Sequence, residues 1–226
     1  MRRGSRPVPA AVFTRTDTAA HISRPCQSSQ FAPTCLLPMN DFQDAPTPPT
    51  AANAPERLWF EDDGRTPNSR YPVLCYRGLT LADGSPADAL EALFAHNGWP
   101  PQWRGGVFDY HHYHARAHET LGVARGQATL VLGGEGGRAI DLHARDVLVL
   151  PAGTGHCRHS ASEDFELVAA YPPDQQNWDL CRPGDTDIAT ARATIAALTT
   201  PGNDPVGGAH GALTRDWCET NKPREL

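Results

Sequence analysis

The sequence contains one lysine, Lys222, so arginine supplies almost all of its positive charge. No lysine lies near the histidine-rich part of the chain, which excludes Schiff-base catalysis there. No apolar run approaches the roughly 20 residues needed to span a bilayer. The arginine-containing start, residues 1–7, is not followed by the apolar stretch of a secretory signal. We therefore expect a protein that is neither exported nor bound to a membrane.

The sequence also lacks cysteine pairs with a functional spacing. Its six cysteines are scattered and form no C-x-x-C or zinc-ribbon pattern. We interpret them as reduced thiols of a cytoplasmic protein.

Clustered positive charge is missing from most of the chain. The formal net charge is −6, and because residues 1–40 hold five arginines and one aspartate, the remainder carries about −10. An acidic body argues against nucleic acid as a partner, because such binding needs grouped Lys and Arg. The length of 226 residues favours one domain with a real core.

Residues 1–56 are rich in Pro, Ser, Thr and Ala and show neither helical nor strand periodicity. Such a segment cannot bury enough apolar surface to offset its ordering entropy, so we expect a disordered extension. A second interpretation is that translation begins at Met39. Residues 57–226 would then form the folded domain in either case.

Within that domain, YPVLCYR (71–77) predicts a strand and Ser85-Pro86 predicts the start of a helix that ends at Asn97-Gly98. A second helix is expected within 185–198. Between them, residues 106–171 contain seven short segments separated by Gly-containing or polar turns, which indicates an antiparallel sandwich or barrel. The segments are VFDYHHYH, HETLGVAR, QATLVL, RAIDLH, DVLVLP, HCRHS and FELVAAY. The glycines at 133–137 are interpreted as a hairpin turn, since no helix follows them.

Seven of the ten histidines lie between His111 and His159. Strand alternation points His112 and His114 to one face and places Glu119 on the apolar, inner face of the next strand. A buried carboxylate needs a cation, and the turn at 151–155 can bring His156 across to the first pair. Three imidazoles and a carboxylate suit Fe, Mn, Ni, Co or Zn as divalent ions. The alternative is a set of surface histidines beside one core glutamate.

The spacing of these residues resembles the cupin superfamily. Gly106, His112, His114, Glu119 and Gly126 match the first cupin motif without a departure, G-x5-H-x-H-x4-E-x6-G. The second motif is matched at Pro151, Gly153 and His156. It departs at Arg145, where glycine is expected, and at Ser160, where asparagine is expected, which affects a local turn and a hydrogen bond beside the site but no ligand.

Several further segments resemble the YjlB-like group of single-domain cupins, whose activity is undetermined. They are ALFAHNGW, FDYHHYHARAHETLG, LGGEGG, PAGTGH and AAYPPDQQNWDLC. This resemblance implies an all-β fold, a single cupin double-stranded β-helix or jelly-roll barrel with its core at about 104–172, a flanking N-terminal helix and a partly helical C-terminal segment. It also implies a homodimer.

Residues near the four ligands complete the predicted site. Under strict alternation Arg158 and Ser160 share a face with His156, and we hypothesise that Arg158 holds a substrate carboxylate. The alternative is a solvent-exposed ion pair of Arg158 with Asp164 or Glu163. Phe108 and Tyr110 share the face of His112 and are candidates for the wall of the cavity.

Four other side chains lie next to the predicted ligands but face away from them. His118 is expected to point outward, and it would replace Glu119 as a ligand only if the turn after His114 were irregular. The others, His111, Cys157 and His159, are also expected on the outer side.

Two classes of function follow. The first is a metal-dependent enzyme acting on a small organic molecule, an oxygenase of dioxygenase type or an isomerase or lyase, with Glu119 available as a base. The second is a non-catalytic small-molecule binding or sensing module, since fold alone does not decide function.

Overall fold

The folded part of the chain is a pair of antiparallel sheets with helices outside them. A computed structural model describes residues 54–218, which contain nine strands and three helices. In chain order these are β1 (Glu56–Leu58), β2 (Val73–Tyr76), α1 (Pro86–His96), β3 (Pro101–Gly105), β4 (Glu119–Arg125), β5 (Gln127–Leu132), β6 (Arg138–His143), β7 (Val147–Leu150), β8 (His156–Ala161), β9 (Glu166–Ala170), α2 (Ile188–Ala196) and α3 (Ala212–Asp216). No helix in the described range is long and apolar enough to cross a bilayer.

The strands form two sheets that are not closed into a continuous barrel. Six strands make the larger sheet in the order β1-β2-β7-β4-β9-β3, and three make the smaller sheet in the order β6-β5-β8. Neighbouring strands in both sheets run antiparallel. This mostly-β architecture agrees with the predicted class and is compatible with a jelly roll.

One apolar core lies between the two sheets. Leu121 and Leu148 enter it from the larger sheet, and Leu130 and Leu132 enter it from the smaller one. Each of these four side chains is at most 1% exposed. Burying a leucine of this kind stabilises a fold by about 1.5–3 kcal/mol, so this layer holds the sheets face to face and fixes the inward direction of every strand.

A second core covers the outer face of the larger sheet. Helix α1 packs there, with Leu90 and Phe94 fully buried. The Oγ atom of Ser85 accepts a hydrogen bond from the backbone N–H of Asp88 and caps the helix, as the sequence predicts. A Cβ atom at Gly122 of β4 would lie 2.8 Å from Phe94 Cζ, so the missing side chain permits this close approach.

Most predicted strands are present, and β5 and β6 coincide with their predicted segments. Residues 133–137 join them as a hairpin, and α2 lies within the predicted range 185–198. The sequence did not indicate the short strands β1 and β3 or the five-residue helix α3. Residues 1–53 of the predicted extension lie outside the described residues, and β1 begins at Glu56.

The segment VFDYHHYH differs from its prediction as a continuous strand. It contains only two isolated antiparallel bridges, from His112 to His156 and from Tyr113 to Cys181. Successive residues therefore pair with different parts of the chain, and no regular ladder can extend along the segment.

The turn before β7 contains Arg145, where the second cupin motif has glycine. Arg145 adopts a φ of 76°, in the left-handed region that glycine enters without a Cβ penalty. Its backbone N–H donates to Val123 O at 2.8 Å, so the turn is formed despite the substitution. The left-handed conformation costs a residue with a Cβ roughly 1–2 kcal/mol.

Candidate metal centre

Three buried histidines converge at one end of the space between the sheets. His112 and His114 come from the irregular segment before β4, and His156 is the first residue of β8. The backbones of His112 and His156 exchange two hydrogen bonds, of 3.1 and 2.8 Å, which fix the two residues side by side. Each ring offers one nitrogen to a common point, and these three nitrogen atoms lie within 4.8 Å of one another.

The three rings share one hydrogen-bonding pattern, in which Nδ1 faces a backbone carbonyl. The pairs are His112 with Tyr110 O, His114 with Asp179 O and His156 with Thr154 O. A carbonyl oxygen only accepts, so Nδ1 carries the proton in each ring. Each Nε2 is then left with its lone pair, the state in which an imidazole binds a metal.

Glu119, the first residue of β4, turns its carboxylate toward these rings. Its Oε2 lies 3.5 Å from His114 Nε2 and 3.4 Å from His156 Nε2. The side chain is almost completely buried, and Oε2 has no hydrogen-bond partner. A buried, unpartnered carboxylate oxygen is costly, and a cation at this point would remove that cost.

The pKa values of the three histidines and Glu119 favour the binding of a cation. Burial, reinforced by His156, lowers the pKa of His112 to about 2, so that ring is neutral. Burial raises the pKa of Glu119, but the neighbouring His114 outweighs burial and brings the pKa to about 2. Burial likewise lowers the pKa of His114 and Glu119 raises it, with a net increase. A charged Glu119 carboxylate thus lies beside the neutral His112 ring, and this charge would attract a divalent ion.

The donor set fits a divalent transition metal. Three imidazole nitrogens and one carboxylate oxygen are the ligands that Fe, Mn, Co, Ni and Zn accept, whereas Ca and Mg favour oxygen donors. Together with the partnerless Oε2, this chemistry identifies His112, His114, Glu119 and His156 as the residues that would hold such an ion.

Aromatic residues that the sequence reasoning did not identify hold Glu119 in place. The hydroxyl of Tyr171, just after β9, donates to Glu119 Oε1 at 2.5 Å. Trp103 Nε1 donates to the Tyr171 oxygen at 3.3 Å. Trp178 stacks on Tyr171 with ring centroids 5.7 Å apart and meets His114 edge-on. Tyr171 thus occupies Oε1 and leaves Oε2 directed at the histidines.

Asp179 was also missed, and it organises the loop that carries His114. Its carbonyl accepts from His114 Nδ1, and its carboxylate accepts from the backbone N–H groups of Ala115 and Arg116 at 2.9 and 3.0 Å. Only the inward alternation of Tyr171 with Ala169 could have been inferred from the sequence. Trp178 and Asp179 lie in a loop without periodicity.

The neighbouring histidines lie outside the cluster. His118 faces away from the inner space as predicted, yet it is 3% exposed because Trp217 covers it. Its Nδ1 accepts from the backbone N–H of Ala152 at 2.9 Å. His159 is exposed.

His111 lies with Cys157 on the outer side of β8. The Nε2 of His111 is 3.4 Å from the Cys157 Sγ, and burial raises the pKa of that thiol. The Cys157 thiol is therefore protonated. Strand β8 lies between the His111–Cys157 pair and the metal cluster.

The predicted wall residues lie beside His112. The rings of Phe108 and Tyr110 stack with centroids 4.9 Å apart, and the Phe108 ring meets the His112 ring edge-on at 5.3 Å. Arg158 pairs with Leu130 across β5 and β8, so its side chain shares the inner face with His156.

The prediction for Ser160 was wrong. A register shift between Thr129 and Leu130 places Ser160 opposite Thr129, which lies on the outer face. One extra residue in β8 breaks the strict alternation on which the prediction depended, and the Ser160 side chain is exposed.

No family model matches the chain. The uncharacterised protein YjlB of Bacillus subtilis (strain 168) is 38% identical over 166 residues, which cover 73% of this chain and 97% of that protein. This chain belongs to the YjlB family. Its antiparallel sheets and buried histidine cluster are consistent with a cupin-like, metal-binding member of that family.

This YjlB-family chain also has a weak likeness to a solved structure. It is Streptomyces albus HEPD with its substrate 2-hydroxyethylphosphonate and Fe(II) bound. The alignment covers 66% of this chain and 28% of that one, at 12% identity and a TM-score of 0.23. A likeness of that size supports no conclusion about fold, metal or substrate.

Proposed function

We propose that this YjlB-family chain is a metal-dependent enzyme that acts on a small organic molecule, an oxygenase of dioxygenase type or, next, an isomerase or lyase. The observation that carries the proposal is the convergence of three imidazole rings, each with Nδ1 against a backbone carbonyl, and a buried carboxylate oxygen without a hydrogen-bond partner. A bound divalent metal would supply Lewis acidity and open coordination positions at this point.

The chain's own residues supply the remaining parts of the proposed site. Glu119 is a charged carboxylate, and once detached from the metal its Oε2 would be able to accept a proton from a substrate. Tyr171 keeps that carboxylate in one orientation through Oε1. Phe108 and Tyr110 line the approach beside His112, and the Phe108 ring is 44% exposed and therefore open to a ligand that arrives from solvent.

The proposal includes a jelly-roll cupin barrel formed by the two sheets, a cytoplasmic location and a homodimer. The free thiols of Cys75, Cys157, Cys181 and Cys218 support a reducing compartment. In the larger sheet β1 and β3 are edge strands, and edges of this kind are available for pairing with a second copy.

The direct test is metal analysis of the full chain purified without added metal. We expect close to one equivalent of a transition metal, lost in His112→Ala and His156→Ala. His159→Ala, an exposed histidine on the same strand as His156, is the matched control and should retain the metal. A content far below one equivalent that neither ligand substitution changes contradicts the metal site.

Turnover separates the enzyme from the binding module. We expect a substrate from a panel of diketones, phenols, sugars and short-chain carboxylates to be converted by the metal-loaded protein, with dioxygen uptake if the metal is iron. Conversion should be abolished in His112→Ala and unchanged in His159→Ala. Tight binding of panel members without conversion favours the non-catalytic module.

A further inference from the structure

Arg158 places a positive charge on the inner face, two residues along β8 from His156. The register pairs His156 with Leu132 and Arg158 with Leu130, and both leucines are fully buried between the sheets. Two strand residues span about 6.6 Å. Arg158 is thus on the same inner face as the metal centre, and its backbone is about two strand residues from that of His156.

No protein group neutralises this arginine. Among residues 54–218 neither a carboxylate nor a hydrogen-bond acceptor contacts its side chain, so the ion pair with Asp164 or Glu163 that was the alternative is not formed. A Cβ atom at Gly106 would lie 3.5 Å from Arg158 Nη1, so a residue without a side chain borders the guanidinium. A half-buried guanidinium with its donors unoccupied is suited to an anionic ligand.

A second arginine and two aromatic rings lie beside His112, and the backbone N–H of Arg158 donates to Phe108 O at 2.8 Å. The Cζ atom of Arg182 lies 3.9 Å from the centre of the Tyr110 ring, and Phe108 stacks on the same ring. Arg182 also has no ion pair with a described carboxylate. The approach to the metal centre is therefore cationic and aromatic, whereas the chain as a whole carries a net charge of −6.

We infer that the substrate is a small carboxylate whose carboxylate group is held by Arg158 while its other end reaches the metal centre. This inference rests on the proposed function, because it assigns the substrate class of the same site. A guanidinium fits a carboxylate with two parallel N–H···O hydrogen bonds. Because Arg158 and His156 are only two strand residues apart on one face, a short-chain carboxylate is the class that we test.

The test uses succinate and its uncharged analogue succinamide, titrated calorimetrically into metal-loaded protein. We expect the wild type to bind succinate at least about 10-fold more tightly than succinamide, as for a charge-assisted hydrogen bond. Arg158→Met should remove this preference and keep the metal content. Arg158→Lys should keep part of it, because the charge remains without the planar fork.

Arg138→Met is the matched control, since Arg138 is an exposed arginine of the same sheet. It should leave both affinities unchanged. No preference for succinate in the wild type, or a full preference in Arg158→Met, overturns the inference. Metal analysis of the same samples tests the proposed function separately. A wild-type protein that does not retain its metal would contradict that function. The preference for succinate over succinamide would still decide the role of Arg158.

Discussion

Histidines are buried both in the space between the sheets and on the outer side of the larger sheet, but the two groups make different hydrogen bonds. At the inner face His112, His114 and His156 are 2–5% exposed, and at the outer face His118 is 3% exposed. The inner rings place Nδ1 against carbonyl oxygens, so their Nε2 atoms are free to bind a metal. In His118 the Nδ1 atom accepts a hydrogen bond from Ala152, so the proton of the neutral ring lies on Nε2.

This difference shows that burial alone does not make a histidine a ligand. Burial lowers the pKa of both His112 and His118, to about 2 and about 4, so both rings are neutral at pH 7. The two rings differ in the hydrogen-bond partner of Nδ1, which is a carbonyl oxygen for His112 and a backbone N–H for His118. A protonated Nε2 cannot bind a metal, and we therefore interpret His118 as a packing residue that joins β4 to the turn before β8.

Replacement of His118 should have the largest effect on stability and none on the metal. His118→Ala removes a buried ring packed on Trp217 and leaves the Ala152 N–H without its partner. We expect the free energy of unfolding to fall by about 2–4 kcal/mol. Chemical denaturation measures the loss, and metal analysis should still find the wild-type content. If the His118→Ala variant folded normally but lost its metal, His118 would be a ligand and our interpretation of it as a packing residue would be wrong.

Replacement of Tyr171 should have an intermediate effect, confined to the inner face. Tyr171→Phe removes the hydroxyl that orients Glu119 and keeps the ring that stacks on Trp178. We expect a 10- to 100-fold loss of metal affinity, the usual consequence of losing a group that orients a ligand. Competition with a chelator measures it.

Tyr113→Phe is the control for Tyr171→Phe, because Tyr113 packs with Cys181 and Ala191 in a separate cluster. It should leave metal affinity unchanged. Equal losses in the two variants would mean that Tyr171 acts through general packing and not through Glu119.

Replacement of Arg145 should have the smallest effect. Arg145→Gly relieves a φ of 76° in the turn before β7. Because glycine also gains freedom in the unfolded chain, we expect a net stabilisation of at most about 1 kcal/mol. Thermal unfolding should show a small rise in Tm with unchanged metal content, and a fall in Tm would show that the Arg145 side chain has a role of its own.

The motif spacing could predict which side chains face inward, because strand alternation is local. It predicts the four residues that lie together at the centre and the outward direction of His118. It could not predict that the outer face is covered, since Trp217 lies about 100 residues further along the chain. The contact of Tyr171 with Glu119, 52 residues earlier in the chain, could not be predicted either, and Trp178 and Asp179 lie in a loop without periodicity.

Strand alternation also gave wrong predictions where successive residues pair with different parts of the chain. His112 pairs with His156 and the next residue pairs with Cys181, so VFDYHHYH does not form the strand its composition favours. The extra residue in β8 rotates Ser160 outward while Arg158 stays on the inner face. No periodicity shows such a shift before the register of the partner strand is known.

The most direct test of the metal centre is a crystal structure of the metal-loaded protein, with diffraction recorded at the absorption edge of the bound metal. We expect one anomalous peak at about 2.0–2.3 Å from the Nε2 atoms of His112, His114 and His156 and from Glu119 Oε2. A peak at His118, at a ring bound through Nδ1, or away from these four residues would contradict the account.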